Sequence, residues 1–152
     1  MQLTRTTMVN ASADKVWQIL GDDFNNVSNW ASAVIDSQAI PDQPEGSGRV
    51  CNVKGFGRVT ESIYHYDDAN RELSFILAGG KVPFFMKKID NTWGVTQKGD
   101  DSSELQVNVS ITLMPVFKQL MTGMMTQQMT KQADGLLAEL KYYAENGKAK
   151  TG

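Results

Sequence analysis

Apolar and polar positions alternate through most of the middle of this chain, then recur at helical spacing toward its end. The cleanest alternation spans residues 104–113. There Leu105, Val107, Val109, Ile111 and Leu113 fall on one side, with Gln106, Asn108, Ser110 and Thr112 on the other. A period of two marks a strand with one buried and one wetted face. Strand patterns also occupy 49–54, 58–67, 72–78 and 86–97. They are separated by the turn-like Gly55-Phe56-Gly57, Asp67-Asp68-Ala69-Asn70, Gly79-Gly80 and Gly99-Asp100-Asp101. Such short connections predict an antiparallel meander, since a parallel crossover needs a dozen or more residues. The Thr-rich, β-branched stretch 2–9 predicts a first strand and 33–40 another, with Pro41, Pro44, Gly46 and Gly48 marking a loop after it. Between them Ser12 is placed to cap a helix over 13–20 whose apolar face is Val16, Trp17, Ile19 and Leu20. Gly21-Asp22-Asp23 stops that helix, and a second short helix near 26–30 carries Trp30 toward the sheet.

The one-sided sheet needs a cover, and only residues 115–146 are long enough. They predict a single helix of roughly 48 Å. Pro115 suits its first turn and Asn146-Gly147 a left-handed stop. Its apolar positions are Phe117, Leu120, Met121, Met124, Met125, Met129, Ala133, Leu136, Leu137, Leu140 and Ala144. At 100° per residue the stripe of the second half is rotated by about 120° from that of the first. A bend near Gly123 is the expected reconciliation, because glycine weakens a helix locally.

Composition narrows the function. The 152 residues suit one domain over 1–146, with 147–152 as a flexible tail. A net charge of −2 without a basic stripe argues against nucleic acid as a partner. No apolar run is long enough for an integral membrane segment, and the first ten residues lack the apolar core of a secretory signal. The lone Cys51 cannot form an internal disulfide, which fits a reducing, cytoplasmic setting. The sequence has no clustered His or Cys ligands, no GxGxxG and no phosphate loop, so neither metal nor cofactor is expected. Oligomeric state is not written in the sequence.

The order of elements, strand, two short helices, meander, long terminal helix, resembles the α+β helix-grip fold of the Bet v 1/START-like (SRPBCC) superfamily. The branch it resembles is that of the polyketide cyclase/dehydratase and lipid-transport proteins, which also includes the plant abscisic acid receptors. The resemblance rests on Ala13-Asp14-Lys15-Val16-Trp17-Gln18-Ile19-Leu20-Gly21-Asp22, Trp30, Gly46-Ser47-Gly48-Arg49 and Thr60-Glu61-Ser62-Ile63 with Asp67-Asp68. It continues through Leu73-Ser74-Phe75, Gly79-Gly80 and Gly135-Leu136-Leu137-Ala138-Glu139-Leu140-Lys141. It implies about seven strands curved around the last helix, and a cavity between them for a hydrophobic small molecule or lipid. Transporters, sensors and cyclases share this fold, so the chemistry must come from the site. In the hormone receptors the turn matching Gly55-Phe56-Gly57 is a longer gating loop, and that role is not carried over.

Several side chains are candidates for such a cavity. Met114, Met121, Met124, Met125 and Met129 crowd the front of the last helix, where adaptable thioethers suit variable apolar ligands or fill an awkward core. Of these, Met125 and Met129 are expected to touch ligand. Phe75, Leu77, Trp93, Val107 and Val109 are expected to face inward, with Asn91 as a polar anchor beside Trp93. Phe84 and Phe85, in a Gly-Gly-Lys-Val-Pro loop, would form a lid or plug the end of the core. Alternation places Glu61 on one face with Val59, Ile63 and His65. By resemblance to the hormone receptors Glu61 would face the ligand. The alternative is a salt bridge to Arg49 or Arg58. If the protein is an enzyme, Glu61, His65 and Asn91 are its candidate catalytic groups. Glu61 and His65 lie about 13 Å apart on this reading, too far for a dyad. Cys51 has no placed base and reads as a small buried apolar residue.

Overall fold

The computed structural model describes residues 1–151. Seven strands form one antiparallel sheet: β1 Gln2–Val9, β2 Val34–Ala39, β3 Gly48–Val53, β4 Gly57–Asp67, β5 Glu72–Gly79, β6 Met86–Gly99 and β7 Ser102–Leu113. Their order is β1-β7-β6-β5-β4-β3-β2, so every neighbour except the β1–β7 pair is consecutive in sequence, as the short turns require. Helix α1 covers Ala13–Trp17 and helix α2 covers Pro115–Asn146. This is the helix-grip arrangement.

Side-chain chemistry sets the element ends. The Ser12 hydroxyl accepts from the Lys15 amide at the start of α1. The helix expected over 13–20 changes character at Trp17 and continues as a π-helical turn over Gln18–Asp22. Gly21 accounts for the change. Its missing side chain leaves room for the Trp17 indole, which a Cβ there would meet at 2.7 Å. Tighter 3-10 turns over Phe24–Asn29 then seat Phe24, Val27 and Trp30 in the core. Pro115 opens α2 and Gly147 closes it at φ 70°.

Helix α2 runs continuously from Pro115 to Asn146, through Gly123. In the rear half Ala133, Leu137, Leu140 and Ala144 are buried. In the front half Met125 is buried while Val116, Leu120 and Met124 stay in solvent. Part of the apolar stripe is therefore left uncovered.

Irregular pairing bends the sheet. In β4, Ile63 pairs with Phe75 and His65 with Ser74, so Tyr64 is an extra residue. Register also shifts in β2 between Val34 and Asp36, and in β6 between Met86 and Lys88 and between Gln97 and Gly99. The core sits against the concave side, where Leu73, Val95, Leu105, Val107 and Ile111 meet α1, α2 and the turns between α1 and β2.

Candidate functional site

Cross-strand pairing sorts the expected site residues into rows on the concave face. One row runs Ile63, Phe75, Asn91, Val109 and Leu3. A second runs Arg49, Glu61, Leu77, Ile89 and Ile111. The third runs Tyr66, Leu73, Trp93, Val107 and Arg5. Alternation thus brings Glu61, Ile63, Phe75, Leu77, Asn91, Trp93, Val107 and Val109 to one surface. Two residues depart from the expected grouping.

His65 is one of them. The extra Tyr64 turns it onto the convex face, opposite Ser74, where its Nε2 lies 3.2 Å from the Glu72 carboxylate in a largely exposed pair. A one-residue bulge breaks the period of two that would have aligned His65 with Glu61. Phe84 is the other. It is 75% exposed, with its ring edge-on to Phe117 at 5.5 Å, and so stands outside the core rather than plugging it. Phe85 turns inward instead and stacks on Phe117 at 4.8 Å.

The remaining residues divide by packing. Phe75 lies edge-on to Phe24 at 5.5 Å, and with Trp93, Val107, Val109 and Met125 it belongs to the packed core. Ile63, Leu77, Phe85, Asn91 and Met129 are half-buried. Met121 and Phe117, on the same side of α2, are half-buried too. Helical periodicity does not single out Phe117 and Met121 as rim residues, although the run 117-121-125-129 at i, i+4 carries the signal. The interior is therefore filled where α1 and the rear of α2 close it, and it loosens toward the front of α2.

Beside Trp30, a hollow of about 10 Å³ lined by Ile19, Asp23, Asn26, Asn29 and Tyr143 has room for a single water. A wider cleft of about 310 Å³ opens at the β1–β7 edge where the first turns of α2 leave the sheet, lined by Met1, Gln2, Ser110, Ile111, Thr112, Leu113 and Lys118. Ile63, Leu77, Phe85, Asn91, Met121 and Met129 do not line this cleft, and the rings of Trp17, Phe24, Trp30, Phe75 and Trp93 are buried in the core.

Glu61 makes the salt bridge to Arg49. Its carboxylate accepts from Arg49 Nε across the β3–β4 pair, and both side chains are about nine-tenths buried. Arg49 also donates to the Phe24 carbonyl at 2.5 Å and lies 3.8 Å over the Phe24 ring. With its charge matched and its partner fixed from two sides, Glu61 is a strut between the sheet and the 3-10 turns. Asn91 is the opposite case. Half-buried at the centre of an apolar row, its amide has no hydrogen-bond partner among the described residues and stays open to solvent.

Cys51 is buried on β3. Burial and then the Glu61 carboxylate push its thiol up to about 11. At pH 8 only about one thiol in a thousand would be thiolate. Native protein is expected to resist iodoacetamide at that pH and to react fully once denatured. Rapid labelling of the native state would mean that β3 opens readily. Among the described residues no group of His, Cys, Asp and Glu is placed to hold a metal ion, and no helix is long and apolar enough to cross a membrane.

The fold has many counterparts among solved structures. Truncated norcoclaurine synthase from Thalictrum flavum is 18% identical, with a TM-score of 0.72 over 96% of this chain and 94% of that one. A START superfamily protein from Mycobacterium smegmatis is 19% identical, with a TM-score of 0.67 over 92% and 97%. The di-domain ARO/CYC BexL of the BE-7585A biosynthetic pathway is 15% identical. Its TM-score is 0.79 over 93% of this chain but only 45% of that longer one. At these identities the likeness is one of fold. No curated protein sequence matches this one. The family model for polyketide cyclase/dehydrase and lipid transport proteins, however, matches residues 1–145, and the chain belongs to that family.

Proposed function

We propose that the chain binds an amphipathic small molecule of the lipid, isoprenoid or polyketide kind at the front of the sheet–helix interface. Its apolar part would lie against Ile63, Leu77, Phe85, Met121 and Met129, with a polar group on the Asn91 amide. The observation that carries this reading is Asn91 itself. Its half-buried amide has no protein partner, is not sealed from solvent and is set in an apolar row, so it is free to bond water or the polar group of a ligand. Apolar lining with few convergent polar groups is the usual character of a small-molecule site. The methionines on the helix side add a surface that adjusts to ligand shape.

The test is uptake of anilinonaphthalene sulfonate together with native mass spectrometry of freshly purified protein. Ile63→Trp, which enlarges a half-buried residue two strands from Asn91 in the same row, is expected to abolish probe uptake while leaving circular dichroism unchanged. A folded wild-type protein that carries no ligand and takes up no probe would refute the proposal.

The alternative is catalysis of the polyketide cyclase/dehydratase kind in the same place, which the family's description favours. Orientation of a reactive chain by Asn91 and the apolar walls would supply the rate gain. Glu61 is committed to Arg49 and His65 faces away, so Asn91 is the remaining candidate of the three. Wild-type protein that turns over no polyketide chain would remove this alternative, and turnover that survives Asn91→Leu would remove Asn91 from it.

A further inference from the structure

Two segments that the fold brings together contain none of the 17 acidic residues of the chain: residues 79–89 and residues 105–133. Met114 donates its amide to the Phe85 carbonyl at 2.9 Å, and Phe84 and Phe85 both pack on Phe117. The loop before β6, the end of β7 and the first turns of α2 meet at one end of the molecule. The rest of the second segment runs back from it along β7 and α2. The surface of this end is apolar at the centre: Phe84 is 75% exposed, Val116 74%, Leu120 77% and Met124 60%. Val116, Leu120 and Met124 recur at i, i+4 and i+8, one stripe along the outer side of α2.

The charges here have a single sign. Lys81, Lys87, Lys88, Lys118 and Lys131 are exposed, and only Lys88 is ion-paired, with Asp90, among the described residues. Lys131 continues the outer stripe two turns beyond Met124. Of the acids that flank the two segments, Asp90 is paired with Lys88 and Asp134 with Arg5, and Glu104 lies at the far end of β7. A chain of net charge −2 thus carries a wholly cationic end with bulky apolar side chains at its centre.

We propose that this end docks reversibly on an anionic lipid membrane, Phe84, Val116, Leu120 and Met124 entering the interface and the lysines lying on the headgroups. The complementarity decides the occupant. Apolar residues flanked by lysines without acids match an anionic bilayer surface. A second copy of this chain would set like charges against each other. The proposal does not depend on ligand binding, because the stripe faces away from Asn91 and the core.

The experiment is cosedimentation of the full chain with vesicles of phosphatidylcholine alone or mixed with phosphatidylglycerol, at low and high salt. Binding is expected only with the anionic lipid and is expected to weaken as salt rises. The paired change Leu120→Ser with Met124→Ser is expected to lower partitioning about tenfold or more. The triple change Lys81→Gln, Lys87→Gln, Lys131→Gln is expected to lower it about a hundredfold. These side chains are exposed, so the variants fold, and unchanged circular dichroism verifies it. No binding to anionic vesicles, equal binding to both lipids, or binding that survives the lysine changes would overturn the proposal. So would a wild-type dimer that Leu120→Ser with Met124→Ser dissociates, since a second copy would then cover the stripe.

Discussion

Glu61→Ala is expected to lower the free energy of unfolding by about 3–5 kcal/mol, measured by urea denaturation. The loss is large because the substitution leaves the buried Arg49 guanidinium without its counter-charge, holding only the Phe24 carbonyl and ring. Replacing both partners, as Arg49→Met with Glu61→Leu, is expected to restore most of the stability, since well-packed apolar side chains often substitute for a buried pair at little cost. If Glu61→Ala instead costs less than about 1 kcal/mol, like an exposed pair, the strut role assigned to it is wrong. Probe binding by the double variant separates the two readings of Glu61. A strut can be replaced by apolar packing without loss of binding, whereas a ligand contact cannot.

The second large effect is expected at Gly48, which opens β3 beside that pair. Its φ is 141°, and a Cβ there would lie 2.0 Å from the Glu61 carbonyl oxygen. The obstacle is backbone, so no rotamer change relieves it. Gly48→Ala is expected to cost roughly 4 kcal/mol or more, from the strained φ and the overlap together. Thermal unfolding measures it, with Gly46 as the internal control. Gly46 also has a positive φ, of 82°, but nothing lies within 4 Å of where its side chain would be. Gly46→Asn is therefore expected to cost little, because asparagine tolerates left-handed geometry. A native-like melting temperature for Gly48→Ala would show that β3 and β4 separate more easily than their pairing implies.

Much of the fold was legible because its determinants are local. The alternation in 104–113 gives β7, and its five apolar residues are buried. Turn-length separators give the meander, and Pro115 with Gly147 brackets α2. The legible part of the site was its face. Strand parity alone brings Glu61, Ile63, Phe75, Leu77, Asn91 and Trp93 to one surface. Depth was not legible. Parity says which side a residue faces, not whether Phe24 or Trp17 already fills the space opposite, so Phe75 and Trp93 became core and Asn91 did not. The position of His65 was hidden for another reason, since nothing in the sequence marks the insertion at Tyr64. The rotated stripe of α2 was visible, but not which of its residues are covered. Val116, Leu120 and Met124 stay in solvent on a continuous helix, and periodicity cannot distinguish an uncovered stripe from a buried one.

The bulge in β4 also defines where this strand can change length. Ile63 points in, His65 out and Tyr66 in, so removing Tyr64 leaves every other side chain of β4 on its own side. Loss of a residue anywhere between Val59 and Ile63 would instead exchange Glu61 with a neighbour of opposite orientation, separating it from Arg49. Insertions and deletions are therefore filtered by parity. Tyr64 occupies the one position in the strand where the count of residues can vary while the interior keeps its identity.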